Sequence, residues 1–197
     1  MPATPIAIPK IAMRSIAGGL LLMAFFTTMW SGVASASLTG GARIVEMMVF
    51  MGMALLFVIY GIYFFIVSKR FQNMTEEDKA EGKKMGIWYG IIFGLEGITI
   101  PIAAFICIQL HHTDLVLPAI ALVVGLHFYP MGKIFNRSID YYLATWATLI
   151  AIVAIILTLK HTVLPLPILA ILGMGMALAT MGYGMYMIRV GKGYLES

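Results

Sequence analysis

Six apolar runs, each near the length of about 20 residues that a helix needs to cross ~30 Å of hydrocarbon, decide what this chain can fold into. They cover 15–35, 44–68, 86–110, 115–135, 141–159 and 165–188. Charge or turn residues bound them: Lys10 and Arg14 precede the first, Lys69-Arg70 stop the second, His111-His112-Thr113-Asp114 close the third, and Lys160-His161 close the fifth. Pro118 and Pro130 predict a kink or a break in the fourth run, whereas Pro165 and Pro167 suit the first turn of the sixth. Composition agrees: 61% of the residues are hydrophobic and 11% charged, against roughly 45–50% and 25% in a soluble domain, too little polar surface to face water on all sides. The reading is an all-α, polytopic transmembrane helix bundle, one integral membrane domain over residues 1–197, with the lipid bilayer as its first partner.

Eleven of the 13 Lys and Arg fall on one side of these spans: Lys10, Arg14, Lys69, Arg70, Lys79, Lys83, Lys84, Lys133, Arg137, Arg189 and Lys192. Arg43 and Lys160 fall on the other. Short cytoplasmic loops retain positive charge, so both termini are expected in the cytoplasm and the chain in a cell membrane. The basic residues form no aromatic-interleaved face, which rules out a nucleic-acid partner. The one sizeable connection, 69–85, reads as a short charged helix running along the cytoplasmic surface into the third span, with Thr75 and Asp78 as a capping box. Two glycosylation sequons, at Asn73 and Asn136, lie on that same side and are discounted. A rival reading of the N-terminus takes Lys10 and Arg14 with the apolar stretch 16–30 as a signal peptide cut near Ala34-Ser35-Ala36, leaving five spans.

A charge at mid-membrane costs on the order of 3 kcal/mol, so each one asks for a partner or a use. Glu96 lies ten residues into the third span, about 15 Å deep. Hydrocarbon disfavours its charged form, which suits a proton carrier; holding two helices together is the structural reading. His127, about 12 Å from the cytoplasmic end of the fourth span, sits at a similar depth. Consecutive antiparallel spans pack side by side, which allows the two to meet. Tyr141 and Thr145, on one face of the fifth span with Thr148, are further candidates for a proton or ion pathway, while Asp140 reads as a cap. Glu46, near the outer end of the second span, reads as a snorkelling side chain.

Small residues mark expected packing faces. Gly86, Gly90 and Gly94 recur every four residues on the third span, about 120° round the helix from Glu96, and Gly175 and Ala179 repeat the theme on the sixth. Methionines at 47, 48, 51, 53, 181, 185 and 187 admit copper(I) transport as a minor alternative, set against ordinary packing. The single cysteine, Cys107, excludes an intrachain disulfide and a cysteine-rich metal cluster. His111 and His112 are adjacent and far from His127 and Asp140, so no metal site and no cofactor is expected. The absence of HExxH, GxSxG and P-loop patterns argues against an enzyme.

The run Gly125-Leu126-His127-Phe128-Tyr129-Pro130 resembles a Gly-Leu-His-Phe-x-Pro pattern of uncharacterised families of small bacterial multipass membrane proteins. The resemblance implies a helical bundle in a bacterial inner membrane with His127 and Pro130 as the shared element, and it brings no activity with it. Two functions stay open. One is a small transporter or channel-like protein, proton-coupled through Glu96 and His127 and expected to assemble with copies of itself or with a membrane partner. The other is a non-catalytic accessory protein whose polar residues only hold the bundle together.

Overall fold

A computed structural model describes residues 10–71, 76–160 and 165–196, without the side chains of Glu77, Asp78, Glu81 and Pro165. Among the described residues there are six α-helices and no strand: α1 (Lys10–Ser37), α2 (Gly40–Val67), α3 (Glu76–Gln109), α4 (Val116–Phe135), α5 (Ser138–Leu159) and α6 (Pro165–Glu196). All six are long and apolar enough to cross a membrane. Large apolar side chains such as Phe25, Met48, Leu55, Leu95, Phe105 and Leu149 cover their outer faces, as lipid contact requires.

The connections are tight. Gly40 takes a φ of 59° and lets α2 begin two residues after α1 ends, a left-handed conformation that costs a glycine nothing. His111 (φ 58°) ends α3, with the His112 N–H donating to the Cys107 carbonyl at 2.9 Å, the bond that closes a helix through a left-handed residue. Asn136 (φ 50°) ends α4 in the same way, and the Arg137 N–H donates to the Gly132 carbonyl at 3.1 Å.

Two expectations about these elements hold only in part. The charged residues after Lys69 form no separate surface helix: from Glu76 they are the first turns of one 34-residue α3, about 51 Å long. The proposed capping residue Thr75 lies outside the described residues. Nor does α4 break, since the helix runs through Pro130. Pro130 is exposed on the outside of α4, where its ring removes one backbone hydrogen bond without ending the helix.

The helices pack in the spatial order α2, α1, α6, α5, α4, α3. The row curves until α3 stands opposite α1 with a cavity between them. α6 and α1 form the centre, with Trp30, Leu20 and Leu172 fully buried. α2 docks by complementary spacing. Phe57 and Phe64 are seven residues apart, as are Gly184 and Gly191 on the parallel α6, and a side chain at either glycine would run into the matching ring. Glu46 lies on this same buried face, in line with Phe50, Ala54 and Phe57, and is 6% exposed with no hydrogen bond to either carboxyl oxygen. It therefore does not snorkel, because the register of α2 turns it inward.

Candidate functional site

The cavity encloses about 580 Å³ between α1 and α6 on one side and α3 and α4 on the other. α3 packs closely on α4 and on no other helix, so α1 and α3 face each other across open space. The walls are mostly apolar and strongly aromatic, with Phe26, Trp30, Tyr89, Phe93, Phe128 and Tyr183 among the lining residues.

Glu96 and His127 meet on this wall. Nδ1 of His127 lies 3.3 Å from Oε1 of Glu96, with the two side chains 10% and 9% exposed. They are at the level where α3 crosses α4, as their matching depths in consecutive antiparallel helices require. Neither imidazole nitrogen makes a hydrogen bond of good geometry, although the Val124 carbonyl lies beside the ring one turn back. Phe93, one turn before Glu96, stands edge-on to the imidazole with ring centroids 5.6 Å apart, and Phe128 covers it with centroids 4.2 Å apart. The aromatic row continues from Phe128 to Tyr183 at 6.0 Å, so the pair sits in a sheath of rings.

A second ionic group stands at the basic end of the bundle. The Asn136 turn brings Arg137 and Asp140 onto one face at the start of α5, and the Arg137 Nε donates to Asp140 Oδ2 at 2.9 Å. Asp140 is fully buried, its Oδ1 makes no hydrogen bond, and the Tyr183 hydroxyl lies beside it. The guanidinium rests over the rings of Phe135 (4.8 Å) and Tyr183 (5.7 Å), a placement that stabilises a cation. Asp140 is therefore no helix cap: its carboxylate bonds a side chain instead of the free N–H groups of the first turn. The Arg137–Asp140 spacing of three was a readable signal of this pair. Tyr183 carried none, because its neighbours depend on how α6 crosses α5.

Other sequence candidates fall elsewhere. Tyr141 and Thr145 do not line the cavity; Thr145 bonds the Tyr129 hydroxyl at 3.1 Å on the outer face of α4 and α5. Leu143 and Ala147 are the α5 residues that reach the cavity. Gly175 and Ala179 lie within the bundle, where a side chain at Gly175 would meet Ile150 at 2.9 Å. Gly86, Gly90 and Gly94 pack against nothing in the chain, since a Cβ at any of them would find no atom within 4 Å. This corrects their reading as a packing face within the bundle: α3 turns toward α4 with the side that carries Phe93 and Glu96. Met47, Met48 and Met51 are exposed on α2, and Met187 alone of the methionines singled out lines the cavity. Among the described residues no three His, Cys, Asp or Glu gather as a metal site would need.

No protein-family model, curated protein or solved structure matches the chain. The site has to be read from its own chemistry.

Proposed function

We propose that this protein is a small proton-coupled transporter of a cell membrane, with both termini cytoplasmic, and that Glu96 and His127 exchange the coupling proton. The observation that carries the reading is their 3.3 Å approach on the wall of a cavity deep within the bundle. A carboxyl and an imidazole in contact hand a proton between them at small cost, and a cavity gives that proton a route to water. A pathway formed by helices of one chain does not need a second copy.

The accessory-protein reading treats the pair as glue. Glue in this bundle looks different. Thr27 and Thr180 join α1 to α6 through a buried 2.8 Å bond, and Trp146 Nε1 donates to the Gly175 carbonyl at 2.8 Å. Both bonds are well formed, whereas the Glu96–His127 contact lacks hydrogen-bond geometry and belongs to the least packed helix.

The test is proton flux into vesicles reconstituted with purified protein. Wild type should carry a pH-driven flux that Glu96→Gln abolishes while thermal stability in detergent is kept, because Gln preserves shape and removes an expensive ionisable group. His127→Ala should slow the flux. Wild-type vesicles without flux, together with variants that only lose stability, would leave the accessory role.

A further inference from the structure

The transport reading leaves the cargo open, and the lining of the cavity narrows it. A volume of about 580 Å³ lies within the roughly 300–1,000 Å³ that holds a drug-sized organic molecule rather than a bare ion. The wall is mostly apolar, so most of such a ligand must be apolar too.

The fixed charges decide the sign of the rest. Arg137 is the one Lys or Arg among the lining residues, and it is already committed to Asp140 and to two aromatic faces. An anion would have to take it from a fully buried carboxylate, which would then be left unpaired. Glu96 has only His127 beside it, in a contact without hydrogen-bond geometry. α3 adds the Tyr89 phenol, α6 adds the Tyr183 phenol, the start of α5 adds the neutralised Arg137–Asp140 pair, and α1 adds no titratable side chain to the lining. Among the described residues Glu96 is the one carboxyl on the wall, and no Lys or Arg pairs with it. The rings of Phe93 and Phe128 stand beside it, and aromatic faces around a carboxylate suit an organic cation.

Access fits the same ligand. α1 and α3 do not pack on each other, and Gly18 and Gly86 on the lining have no atom within 4 Å of where a side chain would start. No α1–α3 contact closes the cavity on this side, which is the side an apolar ligand would reach from the lipid.

Resting on the transport reading, we infer that the cavity between α1 and α3 is a binding site for a lipophilic organic monocation whose charge replaces the proton on Glu96. The exchange balances: the cation enters, the Glu96 carboxyl becomes a carboxylate beside it, and one proton leaves to water. The site then holds either a proton or the cation, which is the condition for moving them in opposite directions.

The experiment uses the full chain in lipid nanodiscs with tetraphenylphosphonium as probe, tetraphenylborate as its anionic twin of like shape, and a pH indicator to read proton release. Tetraphenylphosphonium should bind saturably and release a proton, and its affinity should fall as pH falls, whereas tetraphenylborate should show no saturable binding. Glu96→Gln should weaken the cation about tenfold or more and abolish the release. Phe93→Leu should weaken it while release persists, and this variant keeps the test alive should Glu96→Gln misfold. Equal binding of anion and cation, or affinity and release unchanged in Glu96→Gln, would overturn the inference. Proton flux in vesicles without tetraphenylphosphonium binding would overturn the inference and leave the transport reading standing. Proton-releasing binding without flux would uphold the site and remove the transport reading.

Discussion

The two walls of the cavity are built from the same kind of residue to opposite effect. On α6, four of the six glycines are spaces that neighbouring helices fill, Gly182 and Gly193 being open: Gly173 abuts the backbone of Trp30 and Ala34, Gly175 meets Ile150, and Gly184 and Gly191 receive Phe57 and Phe64. On α3, Gly86, Gly90, Gly94 and Gly97 face no atom of the chain. Without a hydrophobic force between helices in lipid, close backbone approach is what holds a bundle together. The α1–α2–α6 side is thereby locked, while α3 is held by α4 alone. A glycine pattern in the sequence thus does not distinguish a packed helix from a free one, and the ionisable pair lies where the locked wall meets the free one.

The largest test of this contrast is the fate of α1. Trp30, Leu20 and Ala34 of α1 are fully buried at the centre, so cleavage near Ala36 would remove one entire wall. Intact-mass measurement of membrane-extracted protein should find α1 retained; a mature chain starting near Ser37 would break the comparison at its root. Next comes Gly173→Leu, whose Cβ would lie 2.5 Å from the Ala34 nitrogen and 2.8 Å from the Trp30 carbonyl oxygen. Backbone cannot yield as a side chain can, and a loss of about 3 kcal/mol or more is expected in thermal melts. Thr180→Val removes the buried Thr27–Thr180 bond and should cost about 0.6–1.7 kcal/mol, read in the same melts. The smallest effect belongs to Gly94→Ala, which meets nothing and should change stability by at most about 1 kcal/mol, in the stabilising direction. A Gly94→Ala loss as large as that of Gly173→Leu would show that α3 is packed after all.

Hydropathy and charge made the six helices readable, because runs bounded by Lys69-Arg70 or His111-His112 can end in few other places. The meeting of Glu96 and His127 was readable as well, since depth along two consecutive antiparallel helices reduces to counting residues. Rotation about each helix axis was not. Tyr141 and Thr145 face outward and Glu46 inward because α5 and α2 are turned by neighbours distant in sequence, and runs apolar on every side give no hint of which face is inner. That α3 is one continuous helix was less readable: Lys79, Lys83 and Lys84 are good helix formers but not apolar, so the helix begins ten residues before the apolar run does.

The central claim is that the Glu96–His127 pair holds a proton that exchanges with water through the cavity. Infrared difference spectroscopy of the protein in lipid tests it most directly. Wild type should show a protonated-carboxyl band that grows as pH is lowered, shifts in deuterated water and is lost in Glu96→Gln. A carboxyl band that neither titrates nor shifts, or one unchanged by Glu96→Gln, would contradict it.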